Sequence, residues 1–579
     1  DGQRLDLAAA EWERLGRSRE ELWSARQVAE ALAVDLGELS ARDAAFLEAS
    51  RRSVRRVRLL RTIAIAAAPV VFAMLYGAAK VSAGREQARR VGAFVSEASA
   101  RKAEARAKNA EVDDLRARAF GAIRAQDRAS GERLFERAVE LSVEVEKQRG
   151  RASQALEAAL TIASDRDDVR DMLGDVLLGR ALAAERDQRP LQRDDHLQRM
   201  ALYDASGERR RAWNEPARVR LQSSPAGARV TIGQYLPGDR KGLRLSEPRG
   251  LGATPLADIT LEQGSYRLTL SSEGRVEVRY PVFLKRGESL RVSIDLPPLS
   301  AVPPGFVYIP PGRFLFGSNA DKLTRRQFLD TVPAHEATTG AYLIARCETT
   351  FGEWIEYLRA LPPEERARRT VKTGAIGLSG ALELSELPDG VWKLTFQPTS
   401  FEYSARAGEM IVYQGRSVLS RQDWLRMPVS GVSGDDAAAY VAWLNRTGRV
   451  PGARLCTEHE WERAARGADD REFPQGGELL DPNDANVDET YGQASIGLGP
   501  DEVSAHPASE SPFGVHDMAG NVFEWVTTSL TGGGLSVRSG AYFYSQMAAR
   551  STNRTVYDAN LRDPRIGIRV CASITESSR

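Results

Sequence analysis

Phe513-Gly514-Val-His-Asp517-Met-Ala-Gly520-Asn521-Val522-Phe-Glu524-Trp525 places two carboxylates around a turn glycine and closes on a tryptophan. Asp517-x-x-Gly520-x-Val522-x-Glu524 offers side-chain and carbonyl oxygens in alternation along one tight loop. Hard oxygen ligands with a turn glycine suit Ca2+. The competing reading is that the same polar groups pin the loop by hydrogen bonds alone.

Further landmarks flank this segment in order. Gly305-Phe-Val-Tyr308-Ile-Pro-Pro-Gly312-Arg-Phe-Leu-Phe-Gly317-Ser318 opens the region, followed by Pro333-Ala-His335 and Cys347-Glu348-Thr-Thr. Pro428-Val-Ser-Gly-Val-Ser433-Gly-Asp-Asp436 and Arg454-Leu-Cys456-Thr457-Glu458-His-Glu460-Trp461-Glu462-Arg-Ala464-Ala-Arg466-Gly467 come next. Ser539-Gly540-Ala541-Tyr542, Arg550, Arg554 and Ile566-Gly567-Ile568-Arg569 close it. Glu458, Glu460 and Glu462 crowd a helical stretch, where one is expected to face inward and two to be solvated. Trp443, Trp461 and Trp525 read as core residues.

The composition narrows the rest. A chain of 579 residues, 42% hydrophobic and 27% charged, has material for several folded units. Its 80 basic and 79 acidic residues leave a net charge of +1, so no global field recruits nucleic acid. Three cysteines, Cys347, Cys456 and Cys571, exclude a disulfide-built scaffold and form no C-x-x-C pair. Cys456 and Cys571 read as small buried residues. Five scattered histidines argue against a multi-histidine metal site, and no G-x-x-x-x-G-K-[ST] occurs. Asp1 in place of Met suggests a processed chain or a fragment.

Residues 1–58 read as a helical stub, with Leu22, Ala25, Val28, Ala29 and Leu32 at helical spacing. Arg51 to Arg61 holds six arginines in eleven residues, and Thr62 to Ala79 follows with eighteen uncharged residues. At 1.5 Å per residue these cover about 27 Å, enough for a hydrocarbon core. A membrane helix is therefore expected over 59–81, against the competing reading of a buried helix in a soluble bundle. The arginine collar orients it with the N-terminus in the cytoplasm and everything after Lys80 outside. Residues 85–215 are charged and helical, a spacer that is either a passive stalk or tetratricopeptide-like pairs binding peptide. From Val219 the apolar period changes to two between Gly/Pro turns, which predicts a small antiparallel β domain over 217–298.

Three resemblances follow from these residues. Trp12–Arg52, leading into the arginine run and the span, resembles the tail of bacterial STAND-type NTPases, which implies a cytoplasmic switch module upstream. Ser224-Pro225-Ala226-Gly227-Ala228, with Gly252-Ala-Thr254-Pro255 and Gly264-Ser-Tyr266, resembles a PEGA domain, a bacterial β-sandwich without known chemistry. The ordered landmarks over 303–574 resemble the formylglycine-generating enzyme (sulfatase-modifying factor) family. That resemblance implies an α+β, C-type-lectin-like domain. It also implies two structural calcium positions, one at Asp517, Gly520, Val522 and Glu524 and one at Asn486 and Val487, with Asp501 and Val503 as further candidates. The insert 361–427 has no counterpart in the family pattern.

Family chemistry uses a cysteine pair, five residues apart just after the Gly-Gly-Ser-aromatic turn, which holds copper and oxidises a substrate cysteine. A soft Cu(I) ion needs those thiolates. Here Ser539 to Arg550 contains no cysteine. Copper is therefore not expected, and no catalytic or cofactor-binding residue is assigned. The expectation is a single-pass protein of the bacterial inner membrane. Its extracytoplasmic, non-catalytic head would bind a protein or peptide ligand and report to a cytoplasmic NTPase or kinase module. The alternative is a formylglycine-generating oxidoreductase acting on a protein cysteine.

Overall fold

The computed structural model describes residues 2–33, 39–238, 242–492, 496–528, 530 and 533–574. Contacts divide the chain into two units, 1–98 with 154–169, and 99–153 with 170–579.

In the first unit, α1 (Gly2–Arg14), α2 (Ala25–Leu32) and the start of α3 (Ala41–Arg124) bury Leu5, Ala9, Trp12, Phe46 and Leu47 together. Trp12 and Trp23 each meet the Phe46 ring, at 5.5 and 5.4 Å. Ser24 and Gln27 form a capping box that starts α2. Helix α3 runs 84 residues without interruption and carries Pro69 inside it. Its apolar stretch is long and apolar enough to cross a membrane, and none of it is buried within the protein. Ile65 and Phe72 stand 75% and 72% exposed, which water would penalise and lipid would not.

In the second unit, the end of α3 packs against α4 (Arg128–Ile162) through Ala105, Val112, Leu115, Ala138, Leu141 and Val145. Short turns lead to α5 (Asp167–Arg186), α6 (Pro190–Ala201) and α7 (Glu208–Trp213). Arg209 of α7 is buried and paired with Asp171 and Asp175 of α5, at 3.1 and 2.9 Å.

Eight strands follow: β1 (Ala217–Ser224), β2 (Arg229–Pro237), β3 (Leu243–Leu245), β4 (Arg249–Ala253), β5 (Leu256–Leu261), β6 (Gly264–Ser271), β7 (Val278–Leu284) and β8 (Ser289–Asp295). One sheet has the order β5-β1-β8; the other runs β3-β2-β6-β7, with β4 also on β2. Alternation along β1 and β6 sends Val219, Leu221, Leu268 and Leu270 into one shared core. Arg286, after β7, lies 3.7 Å over the Trp213 ring and pairs with Glu185, so the β region is fastened to the helices.

The remaining residues form a sheet-rich head. One sheet orders Ala453–Leu455, Val570–Ser573, Tyr342–Ala345 and Phe306–Ile309; another orders Arg554–Val556, Leu535–Arg538, Phe523–Thr527 and Ile566–Gly567. Helices Phe351–Arg359, Gly434–Arg446 and Glu458–Arg466 each begin with a reciprocal capping box, on Thr350, Ser433 and Thr457. The insert builds its own sheet from Lys372–Thr373, Ala381–Glu386, Trp392–Gln397 and Tyr403–Arg406. Its Leu382, Leu384, Trp392, Leu394 and Phe396 join the main core, so the insert is part of the domain's packing. Helix α3 reaches this head: Phe120 stacks on His335 at 5.0 Å, and Ile123 is buried with Phe314 and Phe316.

Candidate functional site

Helix Glu458–Arg466 places Glu458 and Glu462 one turn apart on a single face. Both are fully buried, which corrects the expectation that two of the three glutamates are solvated. Glu458 accepts from Arg554 Nε at 2.7 Å and Ser536 Oγ at 2.6 Å. Glu462 accepts from Arg466 at 2.9 Å, from the Gly317 N–H at 2.8 Å and from Arg538. Glu460 alone stays at the margin, in the capping box with Thr457 and paired with Arg454 at 2.6 Å. A buried carboxylate survives only when paired and hydrogen-bonded, and Arg466, Arg538 and Arg554 supply that pairing.

Beside this network lies the Asp517–Glu524 loop. Gly520 has φ +77°, and a Cβ there would come within 2.4 Å of the Asn486 carbonyl oxygen. The position therefore requires glycine. The Asn521 N–H donates to that same carbonyl at 2.8 Å, so the loop and the Asn486–Val487 segment are held together. The Asn486 side chain donates to Gly499 O at 2.9 Å, and Val487 and Val522 are buried.

Glu524 faces Arg569, which donates to its two carboxylate oxygens at 2.7 and 2.9 Å, while Trp461 Nε1 donates to one of them. Arg569 also donates to the His516 and Asp517 carbonyls, at 3.0 and 3.3 Å. Asp517 accepts the Ser504 N–H through Oδ2. A third carboxylate, Glu348, lies 3.7 Å from Arg569 and accepts from Asn521 Nδ2 at 3.2 Å. Its Oε2 has no hydrogen-bond partner among the described residues. Burial, and then the neighbouring Asp517, push the Glu348 carboxyl well above the usual range. Two buried carboxylates, Glu348 and Glu524, thus share one guanidinium, and the Asp517 carboxylate lies beside them.

The donor set is all oxygen and carries excess negative charge, which suits a hard cation. Arg569 already satisfies Glu524, so a cation there would share that carboxylate. Asp501 is fully engaged: Arg416 holds one oxygen, and Tyr491 and His506 hold the other at 2.6 and 2.8 Å. Among the described residues, no group of three or more His, Cys, Asp or Glu side chains is arranged to hold a metal. Glu348 and Arg569 were visible in the sequence only as landmarks. An arginine inside the apolar run Ile566–Ala572 was the available sign of a buried partner.

The cysteines correct a second expectation. Cys456 lies just after the strand Ala453–Leu455 and Cys571 in the neighbouring strand; read as separate small buried residues, they form a disulfide, and both are fully buried. Cys347 is the free thiol; it lies 2.8 Å from Ser504 Oγ, and burial pushes it up to about 11. In the segment 539–550, Tyr542 is buried, the Tyr544 hydroxyl accepts from Arg565 at 2.9 Å, and Gly540 packs so closely on Ala549 that a Cβ would lie 2.7 Å from its Cα. No thiol lies in this segment. The residues present do not fit a copper centre, because two of three thiols are bonded to each other and the third is protonated and alone.

Residues 295–574 match the family model described as the sulfatase-modifying factor enzyme 1-like domain. The C-terminal half of the chain is a domain of this family. Within it the chain is similar to the inactive C-alpha-formylglycine-generating enzyme 2 of Mus musculus, 27% identical over 242 residues, covering 41% of this chain and 72% of that one. It is similar to the formylglycine-generating enzyme of Mycobacterium tuberculosis, 28% identical, covering 38% of this chain and 73% of that one. It is also similar to the serine/threonine-protein kinase pkn1 of Chlamydia caviae, 26% identical, covering 46% of this chain and 34% of that one. The chain therefore spans about a third of the kinase relative's length. These relatives are named as an inactive enzyme, as an enzyme and as a kinase.

Proposed function

We propose that this protein is a membrane-anchored recognition or sensor module whose sulfatase-modifying-factor-like head, together with a PEGA-like β domain, lies outside the cytoplasm and does not catalyse formylglycine formation. The single observation that carries this reading is the segment 539–550, which has no cysteine where the family places its pair. The buried Cys456–Cys571 disulfide supports the location, since such bonds persist in oxidising compartments. The arginine collar before the apolar stretch of α3 supports the same orientation and an inner-membrane anchor. Similarity to a relative named as a kinase supports a signalling context, with a cytoplasmic kinase or NTPase module and a protein or peptide ligand as partners.

We further propose that a structural Ca2+ binds beside Asp517, with the backbone oxygens of Gly520 and Val522 and a share of Glu524, and that a neighbouring position uses Asn486 and Val487. When bound, the ion supplies positive charge to the carboxylate cluster and holds a loop-rich region together. The non-catalytic reading is tested by Cu(I) competition against a chelator. The full chain should take no stoichiometric Cu(I), whereas tight binding of one equivalent contradicts it and restores the oxidoreductase alternative.

A further inference from the structure

A cavity of about 450 Å3 opens where α4, the turn between α5 and α6, and the head loop 318–325 meet. One wall is apolar and includes Phe135, Val139, Ala320 and Ala334. Beside it stand Arg116 and Arg186, which both reach the same oxygen of Asp187, at 2.8 and 3.1 Å.

The charges there do not balance. Arg149 shares the Asn109 side-chain oxygen with Arg186, at 3.5 and 3.3 Å. Asp113 lies 3.2 Å from Arg186. Three guanidiniums therefore face two carboxylates, of which Asp113 is 59% exposed and the weaker partner. Glu146 gives little relief, because Arg180 holds it at 2.6 Å. Arg116 retains a buried Nε–H with no partner among the described residues. Burial and the nearby Arg186 both disfavour its charge, in agreement with the imbalance. Arginine keeps its proton regardless, so the imbalance is met by an anion rather than by titration. The Arg116 and Arg325 guanidiniums each lie 5.6 Å from the Phe135 ring.

We propose that this cavity binds a monocarboxylate with an apolar body, its carboxylate on Arg116 and Arg186 and its body against Phe135 and Val139. Over the whole lining the cavity has five basic and four acidic side chains, Glu136 and Glu140 among them, an excess of one that calls for a monoanion. Glu136 and Glu140 at the same cavity would repel a dianion such as phosphate. A planar carboxylate also matches the guanidinium fork. The volume lies in the range of small-ligand sites. The ligand would touch both the helices and the head, so binding would tie these parts together. This site goes beyond the function proposed for the head and stands whether or not the head is catalytic.

The test uses the full chain in phosphatidylcholine nanodiscs and isothermal titration calorimetry. The probes are 3-phenylpropionate, octanoate and indole-3-acetate, with 3-phenylpropanamide and inorganic phosphate as controls. At least one acid should bind, with the amide and phosphate at least tenfold weaker than it. Arg116→Gln should lose at least tenfold in affinity. Val139→Trp, at a 40% exposed position that tolerates bulk, should block binding without changing charge. The tripeptide Gly-Gly-Phe separates two sources of the carboxylate: binding as tight as the free acids assigns it to a peptide terminus, and exclusion assigns it to a free small acid. The proposal is overturned if no acid binds, if the amide matches the acid, or if Val139→Trp binds like wild type.

Discussion

Glu458 and Glu462 were legible as letters and illegible as partners. Their i,i+4 spacing put both on one face, but the arginines that neutralise them come from positions 466, 538 and 554 and meet them only in the folded head. The same holds for Cys456 and Cys571, 115 residues apart. Removing that bond with Cys456→Ser should cost about 2–4 kcal/mol, because it frees a long loop in the unfolded chain. Urea denaturation checks the cost. Alkylation of the unreduced, denatured protein should label one cysteine per chain; three labels would contradict the bond.

Glu510 offers a pH test at the same scale. It lies 2.9 Å from Arg279 of β7, and His516 and then Arg279 hold its carboxyl down to about 2, from an ordinary 4.5. A depressed carboxyl stabilises the fold above its unfolded pKa, and that contribution fades as pH falls from about 4.5 to about 2. The side chain is a third exposed, so solvent reduces the effect to about 1 kcal/mol. Glu510→Gln should lower the urea midpoint at pH 7 and should flatten its fall between those pH values; an unchanged pH profile would contradict the pairing. For calcium, chelation should lower the melting temperature of the full chain, by an amount corresponding to about 2.7 kcal/mol at a hundredfold excess over Kd. Asp517→Asn should abolish that response while leaving the Glu524–Arg569 pair in place. A variant that still responds like wild type would remove Asp517 from the ligand set.

Among the elements, periodicity carried most of what could be read. The helices before residue 215 and the alternating strands after Val219 follow directly from apolar spacing, because each period fixes which face is buried. What spacing does not reveal is where one helix stops and another begins. Nothing in residues 41–124 caps or breaks the helix except Pro69, and α3 continues through it. Close approach of elements is equally hidden. Gly131 of α4 sits so near α3 that a Cβ would lie 2.5 Å from the Ile123 side chain and 2.9 Å from the Ala119 carbonyl oxygen. Gly131→Ala must therefore push the two helices apart and should cost about 1–3 kcal/mol. Thermal melting measures it, and a neutral or stabilising effect would show that the helices are not packed this closely.

At the scale of the whole molecule, the family of the head was legible from ordered motifs, whereas the place of its 372–406 sheet in the core was not, because none of those motifs falls within it. The exposed apolar stretch of α3 and its arginine collar lead to a topology prediction. Protease added to intact spheroplasts should degrade residues 217–579, and survival of that region until lysis would reverse the orientation. The central claim is that the head keeps the sulfatase-modifying-factor-like fold without its oxidase chemistry. The most direct measurement is mass spectrometry of a C-x-P-x-R peptide incubated with the full chain, copper and oxygen. The peptide should remain unmodified with its cysteine intact, and conversion to the aldehyde above the protein-free background would contradict a non-catalytic head.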